Sequence, residues 1–328
     1  VRIVVWQPAY LGDVVFAAPL TAAIAQAMPD AELAFVARPP ADAIARRLPG
    51  VRRVFTYDKY GRDRGVFGAR KLLAELRAFA PDLWLSLHGS VRSGLFARFS
   101  RAARTVGPAG EAGSLFFGER VSLSGQTFPG RAVAVASAIG LEAKPELRLD
   151  LTEELRAQGR KILGDRPTLA LIPGSEWETK RWPAALCAAL AKEYLAKGWQ
   201  VALLGSPAER SLCAEIAAAA GAGCLNLGGN TVDEALGVLS ACRAAVGGDS
   251  GLVHAARALG VPTATLFGPT DAKRHLPGPH DAFVSLGLDC SPCSDHGGRR
   301  CPLGHHRCLR DLGPDQVGAA LLRITAEA

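Results

Sequence analysis

Short apolar runs alternate with Ala- and Leu-rich amphipathic stretches along the whole chain. In the first half, runs of strand length and character lie at about 2–6, 32–37, 52–57, 82–87 and 103–107. Between them, about 13–28, 41–48, 68–80 and 91–99 have helical periodicity. The second half repeats the pattern, with strands at about 168–172, 199–204, 223–226, 243–247 and 263–267 and helices at about 183–196, 207–220, 232–241 and 250–259. Strands that alternate with helices predict parallel sheets covered on both faces. Two such runs predict two doubly wound domains, 1–150 and 151–328. The connection is expected over 141–167, where Lys144-Pro145 and Gly164 to Pro167 interrupt the pattern. A final helix, about 314–326, could pack back on the first domain.

Three strand-to-helix turns carry chemistry. Gly247-Gly248-Asp249-Ser250-Gly251-Leu252-Val253-His254 follows the strand end Ala244-Ala245-Val246 and opens a helix. Its glycines allow tight angles and close approach, and the helix start offers free N–H groups to an anion. Taken alone, the stretch reads equally well as a capped helix. Pro173-Gly174-Ser175 to Lys180-Arg181-Trp182-Pro183 follows the strand Leu169–Ile172 and supplies a hydroxyl and two cations suited to a diphosphate. Tyr10-Leu11-Gly12-Asp13 places a carboxylate beside a glycine after the first strand. In open α/β sheets, ligands bind at the carboxyl ends of the strands. Gly248-Asp249-Ser250-Gly251 also matches the nucleophile motif of trypsin-like proteases, but that chemistry belongs to an all-β frame.

At 328 residues and 48% hydrophobic, the chain is ordered and long enough for two cores. No apolar run reaches the ~18 residues of a membrane span. The opening Val1 to Trp6 reads as a strand rather than a signal peptide, so a cytoplasmic protein is expected. Cys187, Cys213, Cys224 and Cys242 lie in apolar helical or strand contexts and read as small core residues. The net charge of +7 is confined to one half. Residues 1–150 hold 20 Lys or Arg against 13 Asp or Glu, whereas 151–328 hold 18 of each. Within the first half, 38–104 hold 15 basic against 5 acidic residues. An acidic partner is expected there: nucleic acid, an anionic lipid head group or a phosphorylated glycan. A merely solvated, Arg-rich surface is the plainer alternative. The aromatic content of 6% argues against a single-strand nucleic-acid platform, which needs stacking rings.

Two nucleotide-binding domains facing each other across a cleft form the GT-B architecture of glycosyltransferases. Leu11-Gly12-Asp13, Pro173-Gly174-Ser175 with Lys180-Arg181-Trp182-Pro183, Leu204-Gly205-Ser206-Pro207-Ala208-Glu209 and Gly248 to His254 resemble the signatures of glycosyltransferase family 9. These are the heptosyltransferases of lipopolysaccharide inner-core synthesis, and the resemblance runs along nearly the whole chain. Cys290-Ser291-Pro292-Cys293 followed by Cys301-Pro302-Leu303-Gly304-His305-His306-Arg307-Cys308 resembles the tail of the heptosyltransferase II branch.

The resemblance implies an inverting, metal-independent transfer of heptose from ADP-L-glycero-β-D-manno-heptose to a phosphorylated lipid A-core acceptor. Asp13 would be the general base, with Gly12 leaving room for the acceptor. Tyr10 stands where many relatives have a small residue. Lys180 would stabilise the leaving diphosphate in place of a metal, helped by the Ser175 hydroxyl. Asp249, Ser250 and Gly251 would offer backbone N–H groups to it, Asp249 would also hold sugar hydroxyls, and His254 would lie near the donor. Glu209 would accept the ribose hydroxyls, or else simply favour a helix N-terminus. Leu227 and Gly228 would line the adenine.

His88, Arg92 and Ser93, with Lys59, Arg62 and Arg64, are candidates to grip acceptor phosphates and acidic sugars. Cys290, Cys293, Cys301 and Cys308 fit a structural zinc site, with packed free thiols or disulfides as the other readings. The expected protein is a monomer that works in the cytoplasm, peripheral to the anionic inner-membrane surface, with no nucleic-acid partner and no cofactor needed for catalysis. A relative using another sugar nucleotide and a GT-B sugar-nucleotide epimerase are the alternatives within this architecture, and a basic nucleic-acid binder is the alternative outside it.

Overall fold

The computed structural model describes residues 1–326. Contacts divide the chain into two compact units, Val1–Asp150 and from Leu151 onward. The strands of the first unit are β1 (Arg2–Trp6), β2 (Glu32–Ala37), β3 (Val51–Thr56), β4 (Leu83–Ser86), β5 (Arg104–Pro108) and β6 (Glu119–Val121). They form one parallel sheet in the order β3-β2-β1-β4-β5-β6. The second unit contains β7 (Thr168–Ile172), β8 (Gln200–Gly205), β9 (Cys224–Gly228), β10 (Ala244–Gly248), β11 (Thr263–Leu266) and β12 (Asp281–Val284). Its order, β12-β11-β10-β7-β8-β9, is the same winding.

Each sheet therefore has a switch point, between β1 and β4 and between β7 and β10, where the connections leave to opposite sides. The crevice outside the strand ends at such a point is where open α/β sheets take ligands. The central strands are apolar in unbroken runs because both faces are covered. In β1, Ile3, Val4, Val5 and Trp6 are all buried, and all five residues of β7 are buried. Alternation assigns the faces. Leu169 and Leu171 pack with helices Ala184–Ala196 and Pro314–Ala326. Ala170 and Ile172 pack on the other side with helices Val232–Ser240 and Gly251–Ala258.

The strand and helix expectations hold for ten strands, and the structure adds two. β6 and β12 are short edge strands. The expected helix over 13–28 is two helices, Leu11–Val15 and Ala18–Ala27. The expected connection 141–167 contains a helix, Glu153–Leu163, that packs on Val232–Ser240. A Cβ on Gly159 would stand 1.9 Å from the Gly237 carbonyl oxygen, so these helices touch backbone to backbone and only glycine fits. The last helix does not need the first unit to cover it. Its apolar face, Val317, Leu321 and Ile324, is buried in the core of the second unit with Leu190 and Leu309.

Candidate active site

In the first unit, the candidate residues gather at the carboxyl ends of β1 to β4. Asp13 lies in the first turn of helix Leu11–Val15, and its Oδ2 accepts the Tyr10 N–H at 3.0 Å. Asp13 thus caps the start of its own helix. The same carboxylate also lines a small cavity with Gln7, Phe16, Leu87, Phe128, Arg131 and Ala132. The Phe16 and Phe128 rings stack at 5.3 Å and wall one side. Gln7 Oε1 and Arg131 Nε are buried there with no hydrogen-bond partner. An unmatched acceptor and an unmatched donor beside a carboxylate suit a polyhydroxyl ligand. Neither residue was a sequence candidate; Gln7 directly follows β1, which was the available signal.

Lys59 donates from Nζ to the Pro8 carbonyl oxygen and lies over the Tyr60 ring. Burial, then Arg38 and Arg92, push its ammonium below the usual lysine range. Three cations thus share one neighbourhood. Arg38, missed in the sequence, immediately follows β2 and donates to the Ala9 carbonyl oxygen. Its guanidinium lies 4.6 Å from the Tyr10 ring centre and 5.5 Å from that of Tyr60. Arg92 is exposed, and its charge opposes the burial that pushes the nearby Tyr57 hydroxyl up. Arg62 is exposed and paired with Asp63, and Arg64 is exposed at the start of helix Gly65–Phe79.

Ser93 departs from its expected role. It is buried, accepts Trp6 Nε1–H at 3.0 Å, and meets His88 Nδ1 at 2.9 Å and Ser90 Oγ at 3.0 Å. Its hydroxyl fastens β1 to helix Val91–Phe99 and to His88, and is used up in doing so. His88 is pushed below the usual histidine range by burial and then by Lys59, so it is neutral near pH 7.

In the second unit, Lys180 and Asp249 meet from opposite sides of the switch point. Lys180 Nζ donates to Asp249 Oδ2 at 2.6 Å, and both side chains are largely buried. Gly248 makes this approach possible, because a Cβ there would stand 2.1 Å from the Lys180 carbonyl oxygen. Asp249 Oδ2 also accepts Thr270 Oγ1–H at 2.8 Å, and Oδ1 lies 2.8 Å from His254 Nε2. Arg257 donates to His254 Nδ1 and to Asp281. That donor assigns the Nε2–H tautomer to His254, which donates to Asp249. The result is a buried chain from Asp281 through Arg257, His254 and Asp249 to Lys180.

Two of the expected residues are tied into the protein here. The Asp249 carboxylate accepts from Lys180, Thr270 and His254, and its N–H donates to the Leu266 carbonyl oxygen. These bonds make it a positioning partner of Lys180. His254 is buried with both ring nitrogens engaged, so it too acts through Asp249 rather than on a ligand. Ser250 Oγ, at the start of helix Gly251–Ala258, is buried and has no partner. Together with the first N–H groups of that helix it can take an anion.

Ser175 is buried, and its hydroxyl accepts the Trp177 N–H at the long distance of 3.4 Å. Its carbonyl oxygen accepts two N–H groups of Arg181, which folds the loop. Glu209 follows β8 and caps its own turn through the Ser206 N–H at 2.7 Å. Its carboxylate lies over Gly174, where a Cβ would stand 1.9 Å from Oε1, so the β7 and β8 loops meet at this acid. Leu227 and Gly228 end β9, next to β8, on the same rim.

The cysteine segment braces the Lys180 loop. Thr179 N–H donates to the Gly298 carbonyl oxygen at 3.0 Å, and His306 Nε2 lies 2.8 Å from the Thr179 carbonyl oxygen. All eight cysteines are free thiols. Backbone N–H groups of residues 303–306 hold the Cys301 thiol below its ordinary range. Among the described residues, one group of three or more metal-capable side chains has its ligand atoms within 4.8 Å of one another: Asp249, His254 and His275. Cys290, Cys293, Cys301 and Cys308 do not form such a group, but they are neighbours: burial and then the Cys293, Cys301 and Cys290 thiols push Cys308 up. The Asp249 group does not suit a cation, since the Lys180 ammonium already sits on its carboxylate and Arg257 stands behind His254.

Burial pushes His254 down, and burial with the neighbouring His254 pushes His275 down to about 2. Both are neutral when folded and free to protonate near pH 6.5 when unfolded. Their contribution to stability is complete above that value and is lost as pH falls toward the folded values. Asp249 is held well below the ordinary carboxylate range, so its own loss comes at lower pH. The unfolding free energy from urea titration should therefore fall between pH 7.5 and 5, by up to about 1.4 kcal/mol per pH unit below 6.5 for each histidine. His275→Phe should flatten that slope. Equal midpoints at the two pH values would count against the buried pair.

The sequence model of "Glycosyltransferase family 9 (heptosyltransferase)" matches residues 69–303. "Lipopolysaccharide heptosyltransferase 2" of Salmonella typhimurium is 29% identical, over 99% of each chain. The solved structure titled "Structure of E. coli ADP-heptose lps heptosyltransferase II" matches with a TM-score of 0.82 at 24% identity, covering 100% of this chain and 99% of the other. A family 9 glycosyl transferase structure from Veillonella parvula matches with a TM-score of 0.87 at 20% identity, covering 100% and 98%. Both structures share the fold of this chain: two parallel α/β sheets of the GT-B type. The match with the family covers well over half of the chain, in both units, and the chain belongs to glycosyltransferase family 9, the heptosyltransferases.

Proposed function

We propose that this enzyme moves heptose from ADP-L-glycero-β-D-manno-heptose to the phosphorylated inner core of lipopolysaccharide. The step is a single displacement with inversion and needs no metal. The observation that carries the reading is the Lys180–Asp249 pair at the switch point of the second sheet, beside the unpartnered Ser250 hydroxyl and a helix start. This is a ready-made seat for a diphosphate. Two protons of the Lys180 ammonium remain for phosphate oxygens after one goes to Asp249. Glu209 on the neighbouring loop suits ribose hydroxyls, and the ends of β8 and β9 suit the base.

The first unit supplies the other half of the reaction. An acceptor hydroxyl gives its proton to Asp13 as its oxygen bonds to the anomeric carbon. The bond from that carbon to the diphosphate oxygen breaks, and ADP leaves with the bonding electrons. Lys180 and the helix N–H groups stabilise the charge that grows on it. Lys59, Arg62, Arg64 and Arg92, joined by Arg38, suit acceptor phosphates. Relatives named for lipopolysaccharide and ADP-heptose support the choice of substrates. The reaction belongs at the cytoplasmic face of the inner membrane, by a chain in which no described helix is long and apolar enough to cross one.

The test is transfer from ADP-heptose to defined truncated lipopolysaccharides, intact and dephosphorylated, with and without EDTA. Transfer should persist in EDTA and give the inverted anomer. Dephosphorylation should raise the acceptor KM, as should Arg62→Glu with Arg64→Glu, while ADP affinity stays unchanged. No heptose transfer to any acceptor, or retention of configuration, would overturn the reading. An equal KM for both acceptors would show that the basic surface does not read phosphate.

A further inference from the structure

The loop after β3 and the start of helix Gly65–Phe79 expose large apolar side chains that no core claims. Phe67 is 89% exposed, Val66 71% and Tyr60 71%. Helical geometry explains Phe67. The helix buries Leu72, Leu76 and Phe79 on one face, and at 100° per residue Phe67 falls on the opposite one, beside Arg70 and Lys71. Both of those cations are exposed. An aromatic ring held in water between cations, on the far side of a helix from its core, calls for an occupant.

The segment is built to hold this shape. Asp58 accepts the N–H groups of Gly61 and Arg62, and Asp63 accepts that of Asp58. Gly68 lies against the backbone of Asp63, where a Cβ would stand 2.3 Å from the carbonyl oxygen. That contact fixes the loop to the first helical turn. Between residues 59 and 71 the only acid is Asp63, which is buried and tied to Arg62, against five Lys or Arg. Within this segment the acidic groups are tied up in the loop, and the nearest exposed acid is Glu75, one turn beyond Lys71, so the surface around Phe67 is apolar with an excess of cations.

We propose that this surface docks on an anionic lipid bilayer, with Phe67 and Val66 entering the headgroup boundary and Arg70 and Lys71 lying on lipid phosphates. Charge selects the occupant: a protein groove would accept the rings but gives no reason for five cations from Lys59 to Lys71, whereas an anionic interface takes both. The inference deepens the proposed function, because it names the surface that would bring the enzyme to a lipid-linked acceptor. It does not rest on which sugar is moved.

The experiment is co-sedimentation of the full chain with phosphatidylglycerol–phosphatidylethanolamine vesicles and with phosphatidylcholine vesicles. The protein should pellet with the anionic vesicles only, and less as salt rises. Phe67→Ser should lower the partition coefficient by about tenfold, in line with losing one buried aromatic side chain. Arg70→Gln with Lys71→Gln should lower it and remove most of the salt dependence. Phe67→Trp should keep binding, and its added fluorescence should shift to the blue on anionic vesicles alone. ADP affinity by calorimetry should match wild type in every variant, which shows that they fold. Free inorganic phosphate should not compete at millimolar concentration; competition would mean a phosphate site rather than a bilayer. Wild type left in the supernatant, or Phe67→Ser pelleting like wild type, would overturn the proposal. Transfer to an acyl-free acceptor, measured in parallel, separates the two ideas, since failure there with intact vesicle binding removes the substrate reading and leaves the surface standing.

Discussion

Asp13→Asn is expected to bind ADP as the wild type does and to turn over about 10²–10⁴-fold more slowly, the usual contribution of a general base. The substitution is informative because of what it keeps. Asn can still accept the Tyr10 N–H through Oδ1, so the start of helix Leu11–Val15 is preserved. It keeps the size of the side chain beside Gln7 and Arg131 in the cavity. It loses the negative charge and with it the capacity to take a proton. Asp13→Ala removes the capping bond as well and should cost about 1 kcal/mol of stability in addition. Single-turnover rates, ADP calorimetry and thermal unfolding of both variants separate the roles. If Asp13→Asn turns over at a near-wild-type rate, the carboxylate is a helix cap and nothing more.

The β–α alternation was legible because buried parallel strands are apolar throughout and their helices carry a clear period. Ten strands came from that signal. β6, Glu-Arg-Val, is three residues long and two of its residues are exposed, so no apolar run marks it. Helix Glu153–Leu163 was signalled by Thr152 at its cap, acids in its first turn and Gly164 beyond its end, but its charge concealed it in a segment that otherwise reads as linker. The site was legible as a set of loops and not as a set of roles. Glycines at 174 and 248 and the polar residues beside them could be read in order along the chain. That Gly174 makes room for Glu209, and Gly248 for the Lys180 loop, is a fact of three dimensions.

Three candidate residues are held by partners within the protein, for one physical reason. Asp249, His254 and Ser93 are the right kinds of residue for binding, but burial forces their polar atoms to find partners within the protein. Asp249 finds Lys180, 69 residues away, and Ser93 finds Trp6, 87 residues away. A single sequence does not show which polar residue near a site will be spent on holding another. Arg38 and Arg131 are the converse. Each looks like one more arginine in a basic half until the fold sets it beside Tyr10 or Asp13.

Removing the Lys180 charge should reduce both function and stability, and the two losses can be taken apart. Lys180→Met should weaken ADP binding and lower turnover by about 10²–10³-fold, the scale of one preorganised donor at a developing charge. It also strands the buried Asp249 carboxylate with Thr270 and His254 alone. Breaking one side of a buried pair costs about 3–5 kcal/mol. Asp249→Asn should destabilise for the mirror reason and free the ammonium from its position. The pair sums to zero charge, and so does Arg257 with Asp281 behind it. Its hold on a diphosphate therefore comes from N–H donors fixed in place, not from net positive charge. The double variant, Lys180→Met with Asp249→Asn, removes both charges and leaves neither stranded. Its urea midpoint should recover most of the loss, because the two single effects are coupled and not additive. Its turnover should stay as low as that of Lys180→Met. Recovery of turnover along with stability would show that Lys180 is a structural partner of Asp249, and that the diphosphate is held elsewhere.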